Sequence, residues 1–514
     1  MTGTPSVDSL AVLAVLSVSF VVITILRRFV GNRQHKPPLP PGPVPLPLLG
    51  NVLSINTKRP WLTYTEWHAI YGDLFFVRIL DQKVVVINSQ RVARALLHNR
   101  SRIYSDRPYL ATVEPFGWMF NFLFAGYNDA WRLSRRLFHQ TFHAESALKF
   151  RPMQIRRARE MIVNLISDPQ HYDSHFATFS SSVVISAVYG YESSAQDDPL
   201  VGLFAHSMQL GIPWLTPERA IVIKTFPFLL KLPDWCPGSS IKRDAQISTN
   251  SINEMVDVPF QYVQRRMADN LLLDTSSMVA ENLQRVEKQD KAFKSMFETA
   301  LKNTAATAVG GGYETTTGML MVFVLAMVLY PDVQKRAQAE IDLVIGRDRL
   351  PAFEDKKSLP YVDAVVRETY RWMPIAPLGI PHATSSEDTY DGHYIPKGAI
   401  VMCNLWLDTS CSLSLQRNIT KPNLRAISHD EKRYPDACHF IPERFIDING
   451  ALTDDDPVQY IFGLGRRICP GRYIADASVW SAIVTMLSTV DISSAKDDQG
   501  KAIDFTPEFA TGIT

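Results

Sequence analysis

The chain has 514 residues, 46% hydrophobic and 20% charged, with a formal net charge of +1. That is a globular composition with a sizeable core, and its basic residues are scattered without a block of five or six, so no nucleic-acid partner is indicated. The five cysteines (Cys236, Cys403, Cys411, Cys438 and Cys469) are odd in number and form no C-x-x-C pair, which indicates neither a disulfide framework nor a zinc site. Free thiols fit a reducing compartment. No long linker or repeat divides the chain after residue 44, so residues 45–514 read as one large domain.

The first element is a run of seventeen uncharged residues, Leu10 to Leu26. With Val7 and Ser9 added it can just cross a bilayer core, which takes about 17–25 residues. Arg27 and Arg28 follow directly, then Arg33 and Lys36, while the preceding tail has only Asp8 and the α-amino group. The positive-inside rule places the rest of the chain in the cytoplasm. A cleaved signal peptide would carry its basic residues before the apolar run and a small-residue cleavage site after it, and neither is present. Residues 1–30 therefore read as a membrane anchor. Pro37-Pro38-Leu39-Pro40-Pro41-Gly42-Pro43 favours stiff polyproline II structure, so residues 31–44 read as a hinge that holds the body at a fixed stand-off. A bare linker and a ligand for a proline-binding domain are the alternatives. Two glycosylation sequons, at Asn99 and Asn418, would stay unmodified on a cytoplasmic face.

Most of the body reads as helices, with short strands expected near residues 74–88, 378–401 and at the end. Trp131 and Arg135 lie one helical turn apart, so an indole N–H and a guanidinium can reach one carboxylate. A long helical pattern runs from about Lys291 to Tyr330 and is interrupted by Gly311-Gly312-Tyr313-Glu314-Thr315. Consecutive helical glycines cost about 1 kcal/mol each against alanine. Two causes account for that: tight packing on another helix, or a distortion that opens a groove for a small ligand. Glu368 and Arg371 share a helix face over Val362 to Trp372 and can pair. The most informative run is Phe462-Gly463-Leu464-Gly465-Arg466-Arg467-Ile468-Cys469-Pro470-Gly471. Its cysteine sits at a glycine-lined turn just before a helical stretch from Arg472, where the helix dipole and backbone N–H groups stabilise a thiolate. Cys236-Pro237-Gly238 copies the last three residues but lacks the phenylalanine, glycine and arginine.

As a pattern, Phe-x-x-Gly-x-Arg-x-Cys-x-Gly resembles the haem-ligand signature of the cytochrome P-450 family, the haem-thiolate monooxygenases. The resemblance runs over nearly the whole chain. It implies a mainly α fold with small β-sheets, preceded by one N-terminal transmembrane helix. It implies haem b with Cys469 as axial ligand, a thiolate that pushes electron density toward O–O cleavage. Cofactor contacts are expected from Phe462, Trp131, Arg135, Arg467 and His382, the four cationic or N–H-bearing groups facing the propionates. Glu314 and Thr315 would deliver protons at the oxygen site, and Glu368, Arg371 and Arg444 (in Pro442-Glu443-Arg444-Phe445) would form a buried structural triad. Ile103 to Pro108 and Phe116 to Phe122 are expected at an apolar substrate pocket. Electrons would come from NADPH through a membrane-bound flavoprotein reductase docking near Arg132, Arg136, Arg466 and Arg472. The implied location is the endoplasmic reticulum membrane, single-pass. Phe226 to Leu230 would touch the bilayer, and the substrate would be a secondary metabolite or xenobiotic.

The chain departs from the family twice. Leu407 to Arg425 matches no family element and reads as a retained intron or as a surface insertion, which loop-closure entropy tolerates. Phe509 to Thr514 looks like the start of a last hairpin whose returning strand is absent, so either a less stable protein or a truncated end is expected. Two rivals keep part of the reading: a haem-thiolate isomerase or dehydratase without reductase, and an inactive haem-binding remnant.

Overall fold

The computed structural model describes residues 36–269, 277–287, 290–406, 427–503 and 505. The expected anchor over 1–30, the segment 407–425 and the stretch 509–514 lie outside the described residues. From Lys36 onward the proline-rich segment is docked on the body. The Pro38 carbonyl accepts from Tyr394 N at 2.7 Å, the Pro41 carbonyl accepts from Phe76 N at 2.8 Å, and Lys36 pairs with Glu387 at 2.6 Å. A Cβ on Gly42 would lie 2.0 Å from the Phe76 carbonyl oxygen, so that approach needs glycine.

The body is mainly helical. Its longer helices include α1 (Pro60–Tyr71), α2 (Asp129–Phe142), α3 (Arg151–Ser167), α4 (Tyr172–Tyr189), α5 (Pro199–Gly211) and α6 (Ser240–Ala268). They continue with α7 (Met278–Val286), α8 (Lys291–Leu329), α9 (Pro331–Val344), α10 (Pro360–Trp372) and α11 (Arg472–Thr489). Their starts follow from capping chemistry. Asn128 caps α2 through Trp131 N, Asp198 caps α5 through Leu200 N and Val201 N, and Asp290 caps α8 through Phe293 N. For α10 the cap comes from another helix: Glu340 of α9 accepts from Tyr361 N and Val362 N, both at 2.9 Å.

Helix α8 is the axis of the molecule. It packs on α2, α4, α6, α7, α10 and α11. Among the described residues one helix segment, Phe293–Leu329, is long and apolar enough to cross a membrane, and it lies within α8. Its apolarity is that of a core helix: Leu301, Ala305, Val309, Leu320, Phe323 and Met327 are buried among those neighbours. The expected interruption at Gly311-Gly312 does not break the helix, which is continuous through both residues.

The strands are β1 (Leu74–Ile79), β2 (Gln82–Ile87), β3 (His382–Ala383), β4 (Asp388–Tyr390), β5 (His393–Ile395) and β6 (Ile400–Cys403). Four of them make a sheet in the order β1-β2-β6-β3, with β2 and β6 parallel and the other pairs antiparallel. β4 and β5 form a separate hairpin. Near the end the described residues carry an isolated bridge, Lys496 to Ala502. The cysteine reading needs one correction. Cys236, Cys403 and Cys469 are free, but Cys438 is disulfide-bonded.

Candidate functional site

The loop from Phe462 to Gly471 is folded on itself before α11 begins. Cys469 N donates to the Phe462 carbonyl at 2.7 Å, which closes the loop and sets the sulfur at its inner end. Gly463 and Gly465 have φ of 81° and 62°, in the left-handed region. A Cβ on Gly465 would lie 2.0 Å from the Leu97 carbonyl oxygen, so this turn accepts no side chain. Burial pushes the Cys469 thiol up, while the Gly471 N–H, Arg135 and Arg472 pull it back toward the thiolate. The Phe462 ring packs against Tyr370 at 5.6 Å, and both rings, with Cys469, line one cavity of about 380 Å³.

At another part of that cavity the structure gathers cations. Arg467 donates from Nε to the Ser105 carbonyl (2.8 Å) and from Nη2 to the Ala125 carbonyl (2.7 Å). Its guanidinium lies 4.4 Å from the centre of the Trp131 ring. Arg135, one turn along α2, makes no hydrogen bond among the described residues and faces the charge of Cys469. Burial holds the guanidinium pKa of both Arg135 and Arg467 down to about 10. Arg107 was not singled out by sequence reasoning. It is partly buried, held by the carbonyls of Leu123, Ile380 and Pro381, and close to Arg467. The carboxylate beside them is Asp106, whose Oδ1 already accepts from Arg107 N and Tyr127 N. Arg467 is buried and Arg107 and Arg135 are partly buried, and together they carry more positive charge than Asp106 balances. Desolvated charges without partners are costly, so this region favours an anionic group.

His382 stands in β3 beside this cluster. Its Nδ1 lies 2.7 Å from the Tyr104 carbonyl, an acceptor, so Nδ1 carries the hydrogen. Burial, with Arg107 and Arg467 adding to it, holds the imidazole pKa down to about 3. In the neutral ring Nε2 is then a lone pair, not a donor.

On α8 the two glycines divide the work foreseen for them. A Cβ on Gly312 would lie 2.4 Å from Val184 Cγ2 of α4, so this residue is a close-packing point. Gly311 has nothing within 4 Å and lines the cavity. Two hydroxyls engage the adjacent carbonyls: Thr315 Oγ1 donates to Gly311 O at 2.8 Å, and Ser180 Oγ donates from α4 to Gly312 O at 2.5 Å. Glu314 and Thr315 both line the cavity. Of the aromatic run expected at the pocket, Trp118 and Phe122 line it with Asn121 between them. Phe116 instead stacks on Trp214 at 4.3 Å, and Met119 is exposed.

Away from the cavity, Glu368, Arg371 and Arg444 form one buried network. Arg371 donates to Glu368 from Nε (2.6 Å) and Nη2 (2.7 Å), and Arg444 Nε donates to Glu368 at 3.2 Å. On the face beside Cys469, Arg472 donates to the Cys469 carbonyl at 3.1 Å, and Arg132 and Arg466 lie over the Tyr127 ring at 4.8 and 5.2 Å. Arg136 is exposed. Cys236 sits in a loop before α6, far in sequence from any of these groups.

Comparison with known proteins gives one answer. A sequence model of the family described as cytochrome P-450 matches residues 40–408 and 419–514. The chain is 35% identical over 512 residues to cytochrome P-450 monooxygenase 176 of Postia placenta, an alignment covering 98% of this chain and 92% of that protein. It is 34% identical over 515 residues to cytochrome P-450 monooxygenase claR of Ampulloclitocybe clavipes, covering 99% and 89%. With cytochrome P-450 monooxygenase COX1 of Coprinopsis cinerea it shares 32% identity over 495 residues, covering 94% and 91%.

Proposed function

The chain belongs to the cytochrome P-450 family, and from that premise we propose that it is a membrane-anchored monooxygenase that hydroxylates or epoxidises a lipophilic secondary metabolite or xenobiotic. Proteins of this family bind haem with a cysteine thiolate as iron ligand, and they are oxidoreductases that incorporate one oxygen atom into substrate. The observation that carries the reading for this chain is that one cavity is lined by Cys469 and by the guanidiniums of Arg107 and Arg467, with Arg135 close to both Cys469 and Arg467. The two propionates of haem b supply the negative charge that these cations favour. Arg107, Arg135 and Arg467 would hold them, with Trp131 stacked on Arg467, and Phe462 would add an apolar contact to the cofactor. His382 would join only as imidazolium, a state that adjacent carboxylates favour.

When bound, haem supplies dioxygen activation, and the protein supplies protons, orientation and dryness. Thr315 and Glu314 line the cavity beside the open surface of Gly311, which fits a proton route from a titratable group through a hydroxyl to the oxygen site. An isomerase or dehydratase would not need that route. Electrons would come from an NADPH-dependent flavoprotein reductase, approaching the exposed Arg132, Arg136 and Arg466 near Cys469. Phe226, Phe228 and Trp235 are 48%, 56% and 84% exposed, which suits contact with a bilayer and a lipophilic substrate at the endoplasmic reticulum.

The first test is the carbon monoxide difference spectrum of the dithionite-reduced protein, for the native chain and Cys469→Ala. A Soret band at the thiolate-ligated position, absent from the variant, is expected. A neutral-ligand band in both, or no haem, would overturn the reading. NADPH consumption with added reductase then separates a monooxygenase from an isomerase.

A further inference from the structure

The wall of the cavity that faces α8 is apolar apart from a few groups, and one of them is built in an unusual way. Asn121 is 8% exposed and lines the cavity. Its Oδ1 accepts from Leu123 N at 3.0 Å. That bond fixes the amide, because only the oxygen can accept there, and turns Nδ2 the other way. The Nδ2 hydrogens have no acceptor among the described residues, yet Nδ2 is not sealed in the protein interior. The backbone holds the residue in place too, with Asn121 N donating to Trp118 O at 3.0 Å. Nearby hydroxyls are already committed: Thr307 donates to Asn303 O at 2.8 Å and Ser180 to Gly312 O. Phe122 and Phe124 flank the amide in the lining.

We propose that Asn121 is a specificity-determining residue that donates a hydrogen bond to a carbonyl or ether oxygen of the substrate, a reading that rests on the monooxygenase assignment above. A pre-oriented donor in an apolar site discriminates strongly, since a ligand without an acceptor leaves it unpaired. The substrate class is thereby narrowed to apolar skeletons carrying an acceptor oxygen. Position adds a further limit. Phe120 O lies 3.4 Å from Thr307 Oγ1, which puts Asn121 beside that turn of α8. Thr307 and Thr315 are eight residues apart, roughly 12 Å along the helix axis at about 1.5 Å per residue. The oxidised carbon is therefore expected at the opposite end of the substrate from the acceptor.

The test uses the haem-loaded full chain and shape-matched probe pairs: fluorene and fluorenone, androstane and androstanone, decalin and decalone. Binding is read by the Soret shift and, independently, by quenching of tryptophan fluorescence, since Trp118 lines the same cavity. Asn121→Asp keeps the oxygen that Leu123 needs and, once ionised, has no donor, so its preference is scored at a pH where the carboxylate is ionised. Asn121→Leu removes both. The native chain is expected to bind each ketone roughly 3- to 10-fold tighter than its hydrocarbon, and both variants to lose that preference while hydrocarbon binding stays within about twofold. A native chain that binds no ketone tighter than its partner, or an Asn121→Asp protein that keeps the preference, overturns the proposal. The carbon monoxide band is recorded for every protein, so failure of the monooxygenase reading appears as a missing band and not as an altered preference.

Discussion

Arg371→Lys should be far from conservative. The guanidinium of Arg371 has five N–H hydrogens, and the structure gives each one an acceptor. Nε and one Nη2 hydrogen go to the two oxygens of Glu368 at 2.6 and 2.7 Å. The two Nη1 hydrogens go to Ser428 O (3.0 Å) and Ala437 O (2.9 Å), and the second Nη2 hydrogen to His439 O (3.2 Å). Both side chains of the pair are fully buried. A lysine keeps the charge but has three donors; Glu368 Oε1 also accepts from Ile441 N and Arg444 Nε, so at least one of the other four acceptors goes unpaired. At about 1–3 kcal/mol for each unsatisfied buried group, the loss is at least about 1–3 kcal/mol, against a total stability of about 5–15 kcal/mol for a typical domain. Glu368→Gln attacks the other half: it strands the buried Arg371 charge, at about 3–5 kcal/mol. A cofactor-bound chain of this size is not expected to unfold in two states. The readouts are therefore the fraction of expressed protein that gives the carbon monoxide band and the temperature at which that band is lost. Both variants should show a sharply reduced fraction and a midpoint lower by several degrees. An Arg371→Lys protein with native haem content and native midpoint would refute the five-acceptor argument.

Other expectations follow from the same kind of accounting. Gly312→Ala drives a methyl to within 2.4 Å of Val184 Cγ2 and should cost about 1–3 kcal/mol by overpacking. Gly311→Ala meets nothing within 4 Å, so its thermal midpoint should hold or rise while carbon monoxide binding slows, measured by flash photolysis. Arg107→Met should speed haem transfer to an acceptor apoglobin about 10- to 100-fold, the loss of one charge-assisted bond, and a rate unchanged from native would remove Arg107 from the propionate set. Asp73 has its carboxyl held down to about 2, first by its hydrogen bond with His68, with Ser89 and Arg91 adding to it. Its stabilising effect is present above the ordinary value of 3.8 and fades as pH falls toward 2. Asp73→Asn should flatten the acid limb of a urea-midpoint titration across that window, and an acid limb as steep as the native one would show that the contact adds no stability.

What the sequence made legible was local. Glu368 and Arg371 are three residues apart on one helix, and the loop around Cys469 is a contiguous run, so spacing alone puts their groups together. The strands expected near residues 74–88 and 378–401 are found at Leu74–Ile87 and between His382 and Cys403. What stayed hidden was assembled across the chain. Arg107 sat in a segment already picked out as a pocket loop, but its role depends on carbonyls at Leu123, Ile380 and Pro381 and on Arg135 and Arg467 arriving beside it. No periodicity carries that. The same holds for Gly312, whose need for hydrogen in place of a methyl is set by Val184 on another helix, and for Cys438, whose bond no cysteine spacing announced. His382 shows the converse. Its position was foreseen, but the hydrogen bond to Tyr104 O reverses which nitrogen can donate, and only the folded chain reveals it. Charge bookkeeping closes the gap between the two levels. Two arginines foreseen from motifs and a third supplied by the fold outweigh the charge of Asp106, which says more about the ligand than any one motif does alone.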